Sequence, residues 1–160
     1  MTHKAFEPKT FYDLAIYIKD QLLHIIPQEL TQAADRTCIG RAYYAIFLSF
    51  RDKILALSIR DVDLRRRIER TNDAHAIVAE SIRRVDLDVG DYIVNLRSMR
   101  NRVDYRTNIA ITSDDVTYVF KITNEISNKS TTIVSRLKES DIVSAWEKIQ
   151  KEREKKSLFR

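Results

Sequence analysis

The sequence predicts an all-α bundle of five to six helices in a single domain, on three observations. Its 160 residues include only two glycines and two prolines, too few turn formers for a sandwich, a barrel or a loop-rich α/β fold. Apolar residues recur at helical spacing along most of the chain. The composition, 44% hydrophobic and 32% charged, is that of a globular protein long enough for one substantial core.

Each element follows from its own pattern. Thr10 with Asp13 reads as a capping box, and Phe11, Leu14, Ile18, Leu22 and Ile25 then fall on one helical stripe. Pro27 ends that helix or opens the next. The second helix, from about Leu30 to Leu57, is the most apolar and therefore the central one. Its core face carries Ile39, Tyr43, Ile46, Phe50, Ile54 and Leu57, while Tyr44, Phe47, Leu48 and Leu55 widen the apolar surface. A third helix is predicted after Thr71-Asn72-Asp73, with Val78, Ile82 and Val85. A fourth begins near Gly90, with Tyr92, Leu96, Met99 and Val103 on its core side. The chain turns between Asn108 and Ser113. A long fifth helix, capped by Ser113 or Asp114, buries Val116, Val119, Ile126, Ile133 and Leu137. Asp141 opens a short sixth with Ile142, Trp146 and Ile149, and residues 151–160 read as a frayed, mixed-charge tail.

Several chemistries are excluded. Gly40 and Gly90 lie fifty positions apart, so neither a dinucleotide fingerprint nor a Walker A loop can be written. Cys38 is the single cysteine, which removes internal disulfides and Cys-rich zinc sites. His3, His24 and His75 cannot form H-E-x-x-H. No metal or cofactor is therefore expected. The longest apolar stretch is far short of a membrane span and no signal-peptide pattern opens the chain, which predicts a cytosolic protein without a membrane partner. The net charge of +5 permits a polyanionic partner without demanding one.

Three groups of residues could carry chemistry. In the run from Leu96 to Arg106, Arg97, Asn101 and Tyr105 form an i, i+4, i+8 row, and Asp104 is placed to pair with Arg100. Such a face is either a solvated surface or an anion cleft, since an arginine fork can hold phosphate and asparagine or tyrosine can orient it. Arg41 opens the aromatic run Tyr43-Tyr44-Ala45-Ile46-Phe47 and either snorkels or pairs with a carboxylate, Asp104 being one candidate. His75, with Val78, Ala79 and Ile82 at helical spacing, reads as a hydrogen-bonded core histidine or a general base. A further basic segment, Arg60 to Arg70, reads as a solvated charged loop or a phosphate-tracking edge.

Two of these motifs carry a family resemblance. Arg41-Ala42-Tyr43-Tyr44-Ala45-Ile46-Phe47, followed by Arg100-Asn101-Arg102-Val103-Asp104-Tyr105, resembles the HEPN domain family (higher eukaryote and prokaryote nucleotide-binding), in particular its small prokaryotic branch. The resemblance covers the chain from about Phe11 to Leu137. It implies an up-and-down helical bundle, often a homodimer whose motif helices form a composite cleft. Active relatives are metal-independent endoribonucleases of toxin–antitoxin or defence systems, often paired with a nucleotidyltransferase antitoxin. In them an R-N-x-x-x-H type motif lets arginine stabilise the phosphorane while histidine moves a proton.

Carried over residue by residue, Arg100 and Asn101 match the R-N pair and Tyr105 stands where the histidine would be. A tyrosine, with an ordinary pKa of about 10, is a poor base at neutral pH. Gly40 replaces the serine common at the start of the aromatic motif, and Val103 replaces the usual alanine. The expectation is an RNA- or nucleotide-binding protein. Any catalysis would rest on Arg100, Asn101 and Tyr105, with Arg97, Arg102 and Arg41 as phosphate contacts and Asp104 as a pairing group. The alternative is a non-catalytic helical module that docks a partner protein.

Overall fold

The computed structural model describes residues 6–158. Among them there is no strand, and seven α-helices follow in order: α1 (Lys9–Tyr17), α2 (Thr31–Ala56), α3 (Val62–Arg70), α4 (Asp73–Val85), α5 (Leu87–Tyr105), α6 (Ser113–Arg136) and α7 (Glu139–Leu158). A π-helical turn, Ile18–Leu22, prolongs α1, and a 3-10 turn, Gln28–Leu30, leads into α2. The described residues divide into two compact units, 6–49 with 95–127 and 50–94 with 128–158. Each of α2, α5 and α6 supplies a segment to both.

In the first unit the core holds Ile18, Ile39, Ala42, Tyr43, Ile46, Leu96, Val103, Val116, Val119 and Ile126. Two polar clamps fix its loops. The Gln32 side-chain amide donates to the Ile111 carbonyl at 2.7 Å and accepts from its N–H at 2.9 Å. The Arg36 guanidinium donates to the carbonyl of Val103, in the last turn of α5, and to those of Arg106 and Ile109 in the loop that follows, tying the loop to α2. The Cys38 thiol is wholly buried, donates to the Ala15 carbonyl at 3.4 Å, and is pushed up to about 11 by burial.

The expected stripe on α1 is only partly buried: Ile18 is in the core, whereas Leu14 is 43% and Ile25 77% exposed. The Thr10–Asp13 capping box does not form. The helix starts two residues earlier, with Pro8 in the cap position, so Thr10 sits inside the first turn and its hydroxyl donates back to the Glu7 carbonyl at 2.7 Å. The cap of α6 is Thr112, ahead of both expected residues. Its hydroxyl accepts from the Asp115 N–H at 3.2 Å while the Asp115 carboxylate accepts from the Thr112 N–H at 3.0 Å, a reciprocal box.

In the second unit α4 packs against α3 and α7, around Ile54, Leu64, Ile68, Ile77, Val78, Ile82 and Ile142. The segment read as a charged loop, Arg60 to Arg70, contains α3, which raises the expected five or six helices to seven. The Asp61 carboxylate accepts from the N–H groups of Asp63 and Leu64, both at 2.9 Å, and Leu64 and Ile68 bury one narrow stripe between the arginines. The tail read as frayed is helical to Leu158, because Glu, Lys and Arg are strong helix formers even where nothing covers them. Trp146 lies beneath two guanidinium groups, Arg67 at 4.9 Å and Arg153 at 5.6 Å, and Asp73 pairs with both. Gly90 lets α5 pass α4 closely: a Cβ there would collide with the backbone of Arg83.

Candidate phosphate-binding site

Most of the predicted site residues come from the last turns of α5, within the first unit. Val103 and Leu96 face the core and hold this part of the helix down. That leaves Asn101, Asp104 and Tyr105 on the exposed side, with Arg100 half-buried between them. Arg100 and Tyr105 are about 140° apart on a straight helix. They nonetheless meet, with the guanidinium 5.5 Å from the ring centre, because α5 ends at Tyr105.

Arg100 is held from several directions. Its Nη2 donates to the Tyr44 hydroxyl at 2.7 Å and its Nη1 to the Asn101 side-chain oxygen at 3.2 Å. Nε forms an ion pair with Asp104 at 2.7 Å, although its N–H is not aligned on the carboxylate as a hydrogen bond requires. The guanidinium also lies 5.2 Å from the Tyr44 ring centre. Burial pulls the Arg100 pKa down, but Tyr44, Asp104 and Tyr105 together outweigh it and hold the group above its ordinary value. Arg100 is a permanent cation.

The contacts continue as a ladder of rings and cations. Tyr44 lies 6.2 Å from Phe11, and the Arg41 guanidinium sits 4.8 Å from the Phe11 ring centre. Tyr43, 5.5 Å from Tyr44, is buried, which raises its pKa against the opposing charges of Arg97 and Arg100. Its hydroxyl stays protonated at neutral pH.

The structure therefore brings together Arg100, Asn101, Asp104 and Tyr105, and connects Arg41 to them through Phe11 and Tyr44. Arg41 was a candidate partner for Asp104. In the structure Asp104 pairs with Arg100, one helical turn away, and Arg41 lies over Phe11. Arg102 points elsewhere: it pairs with Asp115 at 3.2 Å, and Asp115, through the Thr112 N–H first, is held below the usual carboxylate range. Arg97 is half-buried. His75 lies on α4, in the second unit.

Two residues escaped the sequence reading. Tyr44, counted there as apolar breadth, is the hydroxyl acceptor and ring platform for Arg100; its signal was the doubled tyrosine after Arg41. Arg36 had no local signal, since its partners lie 67 to 73 positions away.

Among the described residues no group of three or more His, Cys, Asp and Glu is placed to hold a metal ion, and no helix is long and apolar enough to cross a membrane. No family model, no curated protein and no solved structure matches this chain.

Proposed function

We propose that the chain is a HEPN-like RNA- or nucleotide-binding protein of a toxin–antitoxin or defence system, acting as a homodimer and partnered by a nucleotidyltransferase antitoxin. The observation that supports the reading best is the ladder Arg41–Phe11–Tyr44–Arg100–Tyr105, ending on a tyrosine ring 73% exposed. Aromatic faces interleaved with fixed cations are what single-stranded nucleic acids use: bases stack on rings while guanidinium groups neutralise phosphates. The Tyr105 hydroxyl can donate to a phosphate oxygen, but it stands where the active relatives carry the histidine that moves the proton. Binding is thus favoured over cleavage.

The test is fluorescence anisotropy with a labelled single-stranded RNA. Tyr105→Ala should weaken binding about 5- to 150-fold, the range of one base–aromatic stack. Arg100→Ala should weaken it as well and reduce the salt dependence. Equal affinity for all three proteins would remove the RNA reading.

A second reading, a non-catalytic module that docks a partner protein, is favoured by one observation. Arg100 is already satisfied from within the chain, by Asp104, Asn101 and Tyr44. On that reading Arg100→Ala lowers the melting temperature and leaves RNA affinity at the background of any basic protein.

A further inference from the structure

A different feature of the second unit carries an inference independent of the α5 site. A cavity of about 460 Å³ is lined by Arg84, Val85, Ser135, Arg136, Lys138 and Asp141. It is contributed by the end of α4, the end of α6 and the start of α7. We propose that this cavity binds the phosphate group of a small phosphorylated molecule.

Three cations face one carboxylate, leaving the lining two positive charges in excess. The carboxylate is also committed: one Asp141 oxygen accepts the Lys138 backbone N–H at 2.9 Å. Arg84 is fixed by donating from Nη2 to the Ser144 carbonyl at 2.9 Å, which leaves its other N–H groups for a ligand. Neither Arg136 nor Lys138 has a carboxylate within ion-pair distance among the described residues. Arg136 nevertheless acts at a distance, helping to hold Asp86 below its ordinary range after the Val89 N–H and Lys129.

Cations in the last turns of α4 and α6 also complement the helix ends, but each terminus carries only about half a charge. The two termini together offset about one of the two excess charges, and the cavity stays positive. Phosphate is the matching group: a monoester is a dianion near neutral pH, and two guanidinium forks with one ammonium supply convergent donors. The Ser135 hydroxyl is spent on the Thr132 carbonyl at 2.8 Å, so recognition rests on the cations. The volume falls within the roughly 300–1,000 Å³ of small-molecule sites, room for more than a bare ion.

The experiment is amide NMR titration of the full chain with inorganic phosphate, adenosine 5′-monophosphate and adenosine. The first two should shift amides of 84–85 and 135–141 saturably at low millimolar concentration, and adenosine should not. Arg136→Gln/Lys138→Gln, which removes two exposed charges and no hydrogen bond, should weaken both phosphates at least tenfold while amides outside 84–86 and 135–141 keep their wild-type positions. The proposal is overturned if that variant binds as the wild type does. It is equally overturned if adenosine binds as well as its monophosphate, or if only a single-stranded RNA, and no monophosphate, shifts these amides. A failure here leaves the α5 reading untouched, because Arg100 and Tyr105 are intact in the variant.

Discussion

Arg100 keeps its charge although it is half-buried, because every group around it prefers the cation. Its geometry depends on the fork: one terminal nitrogen reaches Tyr44 and the other Asn101. Arg100→Lys should therefore recover only part of the RNA affinity lost in Arg100→Ala, since an ammonium keeps the charge but cannot span both partners. Tyr105→His would place a group titrating near pH 6.5 against the same guanidinium. If cleavage is available to this site, a labelled RNA should be cut faster by that variant, with no loss on adding a chelator. Asp35 is the opposite kind of residue. Burial raises its pKa, so its ionised form opposes folding, increasingly as the pH rises through the folded value. Asp35→Asn should raise the melting temperature at pH 7 and leave it unchanged at pH 3, which parallel thermal melts would show.

At the scale of elements, legibility followed the width of the apolar stripe. α2 could be read almost to the residue, because Ile39, Tyr43, Ile46, Phe50 and Ile54 repeat through about four turns and all are buried. α3 could not, since its stripe is two residues wide, Leu64 and Ile68, in a segment dominated by charge. The Asp61 cap was the available signal. Leu64→Ala should cost about 2–5 kcal/mol and Asp61→Ala about 1 kcal/mol by denaturant titration, whereas a solvated loop would lose neither. Phe50→Ala, deleting a ring 2% exposed on α2, should cost about 3–5 kcal/mol by the same measurement. The site was half legible for a related reason. Neighbours along α5, such as Arg100 and Asp104, announce themselves by spacing. Tyr44 and Arg36 act on residues more than fifty positions away, and spacing says nothing about those.

For the whole molecule, three carboxylates set the response to acid. Asp73, through Arg153 first, Asp86, through the Val89 N–H, and Asp115, through the Thr112 N–H, are all held below the ordinary range. A depressed folded pKa contributes stability that is complete above the unfolded value, near 3.9, and is lost as the pH falls through the folded one. Melting temperatures should thus change little through these groups between pH 7 and 5 and fall below about pH 4. Asp73→Asn should flatten part of that fall. Light scattering addresses assembly: a dimer should give twice the 18.8 kDa of one chain, and a monomer at all micromolar concentrations would remove the homodimer from the proposal. The buried cysteine has a practical consequence as well. With its thiol covered and almost wholly protonated at pH 7, Cys38 is closed to alkylating reagents until the chain around it opens. The rate at which a thiol probe modifies the unaltered protein is then a clock for that opening, and a second cysteine placed on the surface would take a spectroscopic label alone.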